Sequence, residues 1–149
     1  MNPEERNIWA SLASSLLVNP WFMHRIWVMF HDGTSTLPNG LQLWAQTMIW
    51  VVPTTIVTSI LLTILAGALH GMVTEERHAT FLKDERDKTF QLWGLGATLI
   101  VVVLGFLFSI GLLAYGASGF AAFTVIYLTM FLADIAGNLL KLALYRTGV

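Results

Sequence analysis

Cysteine and charge are what this sequence most conspicuously lacks. Its 149 residues include no cysteine, and only 11% of them are charged. The absence of cysteine excludes disulfides, thiolate metal sites and catalytic thiols. Soluble globular chains usually contain about 25% charged residues, so this chain falls outside that class. A net charge of −1 leaves no basic field that would attract nucleic acid.

Catalytic motifs are also missing. The sequence contains no nucleophile elbow, no phosphate-binding glycine loop and no dinucleotide-binding fingerprint. Its glycines lie singly in apolar runs or in turns. No residue is therefore assigned a catalytic role, and an enzyme is not the favoured interpretation.

Apolar residues dominate what is present. They make up 56% of the chain, and the mean hydropathy is +0.68. A run of about 20 apolar residues crosses the roughly 30 Å hydrocarbon layer as a helix. The composition predicts an all-α integral membrane protein, with residues 1–149 forming a single helical domain in the lipid bilayer.

Four membrane-spanning helices are predicted, and the first is the least regular. Their approximate ranges are 8–30, 44–69, 92–115 and 120–144. Asn19-Pro20 interrupts the first range, which therefore either spans as a broken helix or has its second half in the membrane interface. The short turn at 116–119 predicts that the last two spans form a hairpin.

The distribution of basic residues predicts the orientation. The connection at 71–91 contains Arg77, Lys83, Arg86 and Lys88, whereas the loop at 31–42 has no lysine or arginine. Cytoplasmic loops are enriched in these residues. The charged connection and both chain termini are therefore expected in the cytoplasm.

The charged connection ends in the block "KDERDK", which has three bases and three acids. Opposite charges four residues apart stabilise a helix, and acids at a helix start complement its dipole. One interpretation is therefore a solvated helix entrance. The other is a docking site for a cytoplasmic partner, because a mixed-charge pattern selects a complementary surface. The candidate docking residues are Asp84, Glu85, Arg86 and Asp87.

Three stretches together resemble a known family. They are "EERNIWASLASSLL", "DERDKTFQLWG" and "LLKLALYRTG". They resemble small four-span prokaryotic membrane proteins of unknown function that have a DERD motif at the start of the third helix and a basic tail. The resemblance implies the four-span fold, the orientation above and a bacterial or archaeal cytoplasmic membrane, but no chemistry. The long loop at 31–42 and the tryptophan-rich first segment depart from the family pattern.

Polar residues form a stripe on the last span. Tyr127, Asp134, Asn138 and Lys141 recur at steps of three, four or seven, which places them on one helix face. Such a stripe either fixes helix packing through hydrogen bonds or forms a proton or cation step in a transporter.

Two other spans have faces suited to close packing. The expected partners of the stripe lie on the second span: Thr55, Ser59, Thr63, Gly67 and His70. A similar seam is predicted on the third span: Thr98, Gly105, Ser109 and Gly116. Small residues let membrane helices approach closely, either within one chain or between copies.

The histidines give no firm cofactor site. No two of them are expected to face each other from different spans at one depth, as a bis-histidine haem requires. A single histidine could still bind a tetrapyrrole in a pigment assembly. His70, Glu75 and His78 form a weak zinc candidate, because a third firm ligand is lacking. No cofactor is assigned, and a tetrapyrrole or metal stays open.

Three function hypotheses follow. Small size, absent catalytic motifs and small-residue faces favour a non-catalytic accessory or interaction subunit, bound to another membrane protein or to a second copy of itself. The alternative is a small transporter or proton- or cation-coupled channel that uses the stripe around Asp134. The third is a membrane carrier of a cofactor or pigment held by a histidine.

Overall fold

The described part of the chain is entirely helical. The structure, a computed structural model, describes residues 3–73 and 85–147, with side chains at 4–68 and 87–147. Within these ranges there is no strand, and the all-α prediction is confirmed. The helices are α1 (Pro3–His31), α2 (Gly40–Met48), α3 (Val51–Val73), α4 (Glu85–Ala114) and α5 (Gly119–Thr147), with a 3-10 turn at Thr34–Thr36.

Three helical stretches are long and apolar enough to cross a membrane. They are Gly40–Ala68, which combines α2 with most of α3, Asp87–Ala114 and Gly119–Thr147. α1 is as long as α5, at 29 residues, but is more polar. The prediction of apolar helices of membrane-spanning length is therefore confirmed for these three stretches.

The predicted break at Asn19-Pro20 is wrong. α1 continues through Pro20 without interruption. Proline lacks an N–H, so the turn before it loses one backbone hydrogen bond. The carbonyl left without this donor is that of Leu16, one residue after the Ser15 carbonyl, to which the buried Asn19 side chain donates at 2.9 Å. On either side of the proline, Val18 and Phe22 are buried in the core, and this packing holds the helix together.

The described ends of the predicted charged connection are helical. α3 continues to Val73 and α4 begins at Glu85, so both ends of the predicted connection at 71–91 are helical. Residues 74–84 lie outside the described part of the chain. At the other end of the second predicted span, α2 and α3 are separate helices, and Pro53 lies in the first turn of α3, where its missing N–H costs little.

α1 and α5 form a central antiparallel pair. At one end Arg146 lies 4.0 Å from Glu5, and at the other the rings of Phe30 and Phe120 are 5.8 Å apart. α3 packs on α1, and α4 packs on α5. The main core cluster lies between α1, α2 and α5 and consists of Val18, Phe22, Ile26, Met48, Phe120 and Tyr127.

The predicted small-residue seam of α4 packs against α5 within the chain. Ser109 Oγ donates to the Ala122 carbonyl at 2.8 Å, and Thr98 Oγ1 donates to the Ala133 carbonyl at 3.3 Å. Gly105 is buried against Thr129, and a Cβ at this position would collide with that side chain. Only at its last member is the predicted seam wrong, because Gly116 faces open space.

Gly116 instead ends α4. Its φ of 85° lies in the left-handed region that glycine adopts without strain. The Gly116 N–H donates to the Leu113 carbonyl and the Ala117 N–H to the Leu112 carbonyl, both at 3.0 Å, which is a Schellman motif. Ser118 then caps α5 by accepting from the Ala121 N–H at 3.2 Å. These local bonds produce the predicted hairpin.

α3 is the most peripheral helix. No side chain of its residues 51–68 is fully buried, and its hydroxyl-bearing face is half-buried against α1. Ser14 Oγ of α1 donates to the Thr55 carbonyl at 3.3 Å. A Cβ at Gly67 would meet no described atom within 4 Å, so the close approach expected at that glycine is not found.

The close packing of Gly105 against Thr129 leads to a prediction, and Gly111 in the same helix provides the control. Gly105→Ala forces a methyl group into Thr129, and overpacking of this kind costs about 1–3 kcal/mol. Gly111→Ala meets open space and should be neutral, or stabilising by less than about 1 kcal/mol. Unfolding of both variants in detergent micelles checks this. Equal free energies of unfolding for the two variants would mean that Gly105 does not lie in a tightly packed interface between α4 and α5.

Candidate functional site

α1 turns a row of small polar residues toward its neighbours. Ser11, Ser15 and Asn19 follow one another at four-residue steps, and Ser14 lies beside them on the same side of the helix. Ser14, Ser15 and Asn19 are buried. Buried polar groups in a membrane helix need partners, and α5 supplies several of them.

The first polar contact between α1 and α5 joins Asn19 to Tyr127. The Tyr127 hydroxyl donates to Asn19 Oδ1 at 2.8 Å. Asn19 Nδ2 donates in turn to Ser15 Oγ at 3.1 Å and to the Ser15 carbonyl. Both the amide and the hydroxyl are therefore hydrogen-bonded and buried. The hydrogen bonds between Ser15, Asn19 and Tyr127, which we call the Tyr127–Asn19 node, therefore hold α1 against α5.

The second polar contact joins Asp134 to Asn138 and α1. Asn138 Nδ2 donates to Asp134 Oδ1 at 3.0 Å and lies 3.5 Å from Ser11 Oγ. Asn138 is buried, whereas Asp134 is half-buried. Within the described ranges, no lysine or arginine forms an ion pair with Asp134. Its carboxyl group is therefore only partly satisfied.

The last member of the stripe, Lys141, contacts α4, and so does Tyr145 one turn further along α5. The Lys141 side chain packs across Gly94, where a Cβ would collide with it. The Tyr145 hydroxyl donates to Asp87 Oδ1 at 2.8 Å. The predicted stripe is thus one face of α5 by spacing, but its residues contact two different neighbouring helices.

Among the described side chains, none from the second span is hydrogen-bonded to Asp134, so the partners expected at Thr55, Ser59 and Thr63 are not found. α3 packs on α1, and the hydrogen bonds around Asp134 and Tyr127 involve Asn138, Ser11 and Asn19. Asn19 was identified from the sequence only as part of a helix break. Its four-residue spacing from Ser11 and Ser15 is the signal that would have found it.

Two cavities lie on opposite sides of the Asp134–Asn138 hydrogen bond. The upper cavity, toward the α1–α2 loop, has a volume of about 420 Å³. The lower cavity, toward the N-terminus of α1, has a volume of about 690 Å³. Upper lining residues include Asn19, Trp44, Thr55, Tyr127, Phe131 and Asp134. Lower lining residues include Glu4, Ser11, Lys88, Gln91, Asn138 and Lys141.

Asp134 lines only the upper of these cavities, and Asn138 lines only the lower. The two residues are hydrogen-bonded to each other. This single side-chain contact therefore links one lining residue of the upper cavity to one lining residue of the lower cavity.

No family model matches this chain. No curated protein and no solved structure matches it significantly either.

The candidate docking motif is only partly described. Asp84 lies outside the described residues, and Glu85 and Arg86 are described only as part of α4. Asp87 is buried and accepts a hydrogen bond from Tyr145. This acid faces the bundle, so it contributes to helix packing more than to an exposed surface.

The weak zinc candidate falls outside what the structure describes. Glu75 and His78 lie in the undescribed stretch, and the side chain of His70 is not described. Among described residues, no group of three or more histidine, aspartate or glutamate side chains is placed to hold a metal ion.

The Tyr127–Asn19 bond generates a stability prediction. Tyr127→Phe leaves Asn19 Oδ1 without its donor, and the free energy of unfolding should fall by about 0.6–1.7 kcal/mol, as for other interhelical hydrogen bonds in membranes. Tyr115→Phe is the matched control, since Tyr115 is 95% exposed. Unfolding curves in micelles measure both. A loss of the same size in each variant would argue against the node.

Proposed function

We propose that this protein passes protons through the membrane by way of Asp134. The observation that carries the proposal is the junction of the upper and lower cavities at the Asp134–Asn138 hydrogen bond. Ionisable residues within membrane spans commonly mark proton relays. The structure thus favours the transporter or channel hypothesis over the accessory-subunit hypothesis.

The environment of Asp134 differs from that of a purely structural polar residue. Asn19 and Tyr127 satisfy each other's hydrogen bonds and are buried. Asp134 has one amide donor and borders a largely apolar cavity. An ionised aspartate at the centre of a membrane helix costs roughly 2.5–3.5 kcal/mol on insertion scales. Protonation removes that cost, so proton uptake and release suit this position.

A proton fits the site better than a hydrated metal cation. Hard metal cations bind several oxygen ligands, often from more than one carboxylate. Among the described lining residues, Asp134 is the only acid in the upper cavity. The lower cavity contains Glu4, whose carboxylate accepts from Gln91 at 3.3 Å. A proton, in contrast, needs only one carboxyl group as its binding site.

Four spans with both termini in the cytoplasm form part of the same proposal. α1 contacts α5 at both ends, through Glu5–Arg146 and Phe30–Phe120. If α5 crosses the membrane, a helix packed along its whole length crosses beside it. The orientation follows from the lysine and arginine distribution. The lower cavity then opens toward the cytoplasm, and the cell's cytoplasmic membrane is the proposed location.

The other hypotheses stay predictions. A docking role for the DERD motif and membership of the DERD family are supported by the sequence alone. Self-association and a pigment or cofactor held by a histidine also have no further support. An accessory role remains compatible with proton transfer if the protein serves a larger assembly.

Proton flux tests the proposal directly. Purified protein in liposomes, with a potassium diffusion potential and an internal pH dye, should acidify or alkalise the lumen according to the sign of the potential. Asp134→Asn keeps the size of the side chain but removes the titratable group, and flux should fall to the level of protein-free liposomes.

Asp32→Asn is the control, because Asp32 is an exposed acid in the turn after α1 and does not line either cavity. It should conduct like the unmodified protein. The thermal unfolding of each variant shows that it is folded. Undiminished flux in a folded Asp134→Asn variant would overturn the proposed function.

Orientation is tested by cysteine labelling, since the chain has no cysteine of its own. In spheroplasts, an Asp32→Cys variant should react with a membrane-impermeant maleimide. A Thr147→Cys variant should react only after the membrane is permeabilised. Labelling of both sites from outside would mean that one of the three predicted spans between these two sites does not cross.

A further inference from the structure

The upper cavity combines an apolar wall with a single charge. Apolar and aromatic side chains form most of its surface, including Trp44, Met48, Ile126 and Phe131. Among the described lining residues, Asp134 has the only formal charge. At about 420 Å³ the cavity is within the usual size range of small-molecule sites.

The charge of Asp134 determines which occupants the cavity can stabilise. A negative charge beside apolar walls is poorly solvated and attracts a cation. Aromatic rings near a cation add a further attraction, and Trp44 and Tyr127 both line this cavity. A hydrated inorganic ion gains nothing from the apolar wall, whereas an organic cation gains from both features.

Trp44 provides a second observation. Its indole Nε1–H is buried and has no acceptor among the described residues. A buried donor in this condition requires an explanation. An ammonium ion cannot accept a hydrogen bond, so a water that shares the cavity with the ligand would be the acceptor. The same side chain packs against Phe123, with ring centroids 5.8 Å apart, so the indole is held in place at the cavity wall.

We infer that the upper cavity binds a monovalent organic cation, an amine or quaternary ammonium ion with an attached apolar group, and that Asp134 is its counter-ion. The inference rests on the proposed function, since both use the same carboxyl group. A proton and the cation compete for that group. The protein would then exchange the two across the membrane.

The competition gives a pH dependence with a definite sign. Cation binding should weaken as the pH falls, because protonated Asp134 offers no negative charge. Tyr127 is the other titratable group lining the cavity, and Asn138, which bonds to Asp134, is uncharged. The charged residues below the junction are Glu4, Lys88 and Lys141, which line the lower cavity.

A pair of isosteric probes tests the inference. Benzyltrimethylammonium has a permanent positive charge, and neopentylbenzene has the same shape with carbon in place of nitrogen. Titration of the purified full-length protein, followed by calorimetry and tryptophan fluorescence, should show binding of the cation that weakens at low pH. The neutral probe should bind more weakly, with no pH dependence.

Variants assign the binding to Asp134. Asp134→Asn should reduce affinity for the cation at least about ten-fold, equivalent to 1.4 kcal/mol, with little effect on the neutral probe. Asp134→Glu should retain cation binding. Ile126→Trp fills the cavity without altering the carboxyl group and should also abolish binding, which keeps the test valid if Asp134→Asn fails to fold. Asp32→Asn is again the control.

The outcomes separate this inference from the proposed function. Flux that depends on Asp134, without preferential binding of the cation, overturns the inference and leaves the proposed function standing. Cation binding that depends on Asp134, without proton flux, overturns the proposed function and leaves the binding site standing. Equal binding of the two probes, or binding unaffected by Asp134→Asn, overturns the inference.

Discussion

The arrangement of the helices depends on the polar contact between α1 and α5, centred on the hydrogen bond from Tyr127 to Asn19. In hydrocarbon there is little hydrophobic force to hold helices together, so packing and hydrogen bonds must do so. α3 is attached through α1, and α4 through α5. The interface between α1 and α5 therefore joins two helix pairs that would otherwise have little contact with each other.

The two sides of α5 are packed in different ways, and the difference explains where the site lies. Toward α4, Gly94, Gly105 and Gly137 allow the backbones to approach closely. Along α1 the packing is looser. The upper cavity lies where α1, α2, α3 and α5 meet, and the lower cavity lies where α1, α4 and α5 meet. A tightly packed hairpin thus supports a looser, polar interface. Asp134 lies at the point where that interface changes from the upper cavity to the lower.

Local sequence signals predicted the parts of the fold that depend on local chemistry. Gly116 and Ser118 produce the hairpin through backbone and capping bonds between near neighbours. The spacing of Thr98, Gly105 and Ser109 identified the face of α4 that packs on α5. The break expected at Pro20 was wrong for the opposite reason. The burial of Val18 and Phe22 against other helices holds α1 together there, and such tertiary contacts are invisible to a reading of the local sequence.

The sequence by itself determined the all-helical membrane class, because long apolar runs with few charges can fold stably only as helices in lipid. It also determined that Tyr127, Asp134 and Asn138 share a face, because the helical period fixes that geometry. Only the tertiary structure decided which helix meets that face. Both α1 and α3 have small hydroxyl-bearing faces, and the choice between them depends on the lateral order of helices. The tertiary structure also decided that Asp134 borders one cavity and Asn138 the other, because cavities arise from the shapes of several helices packed together.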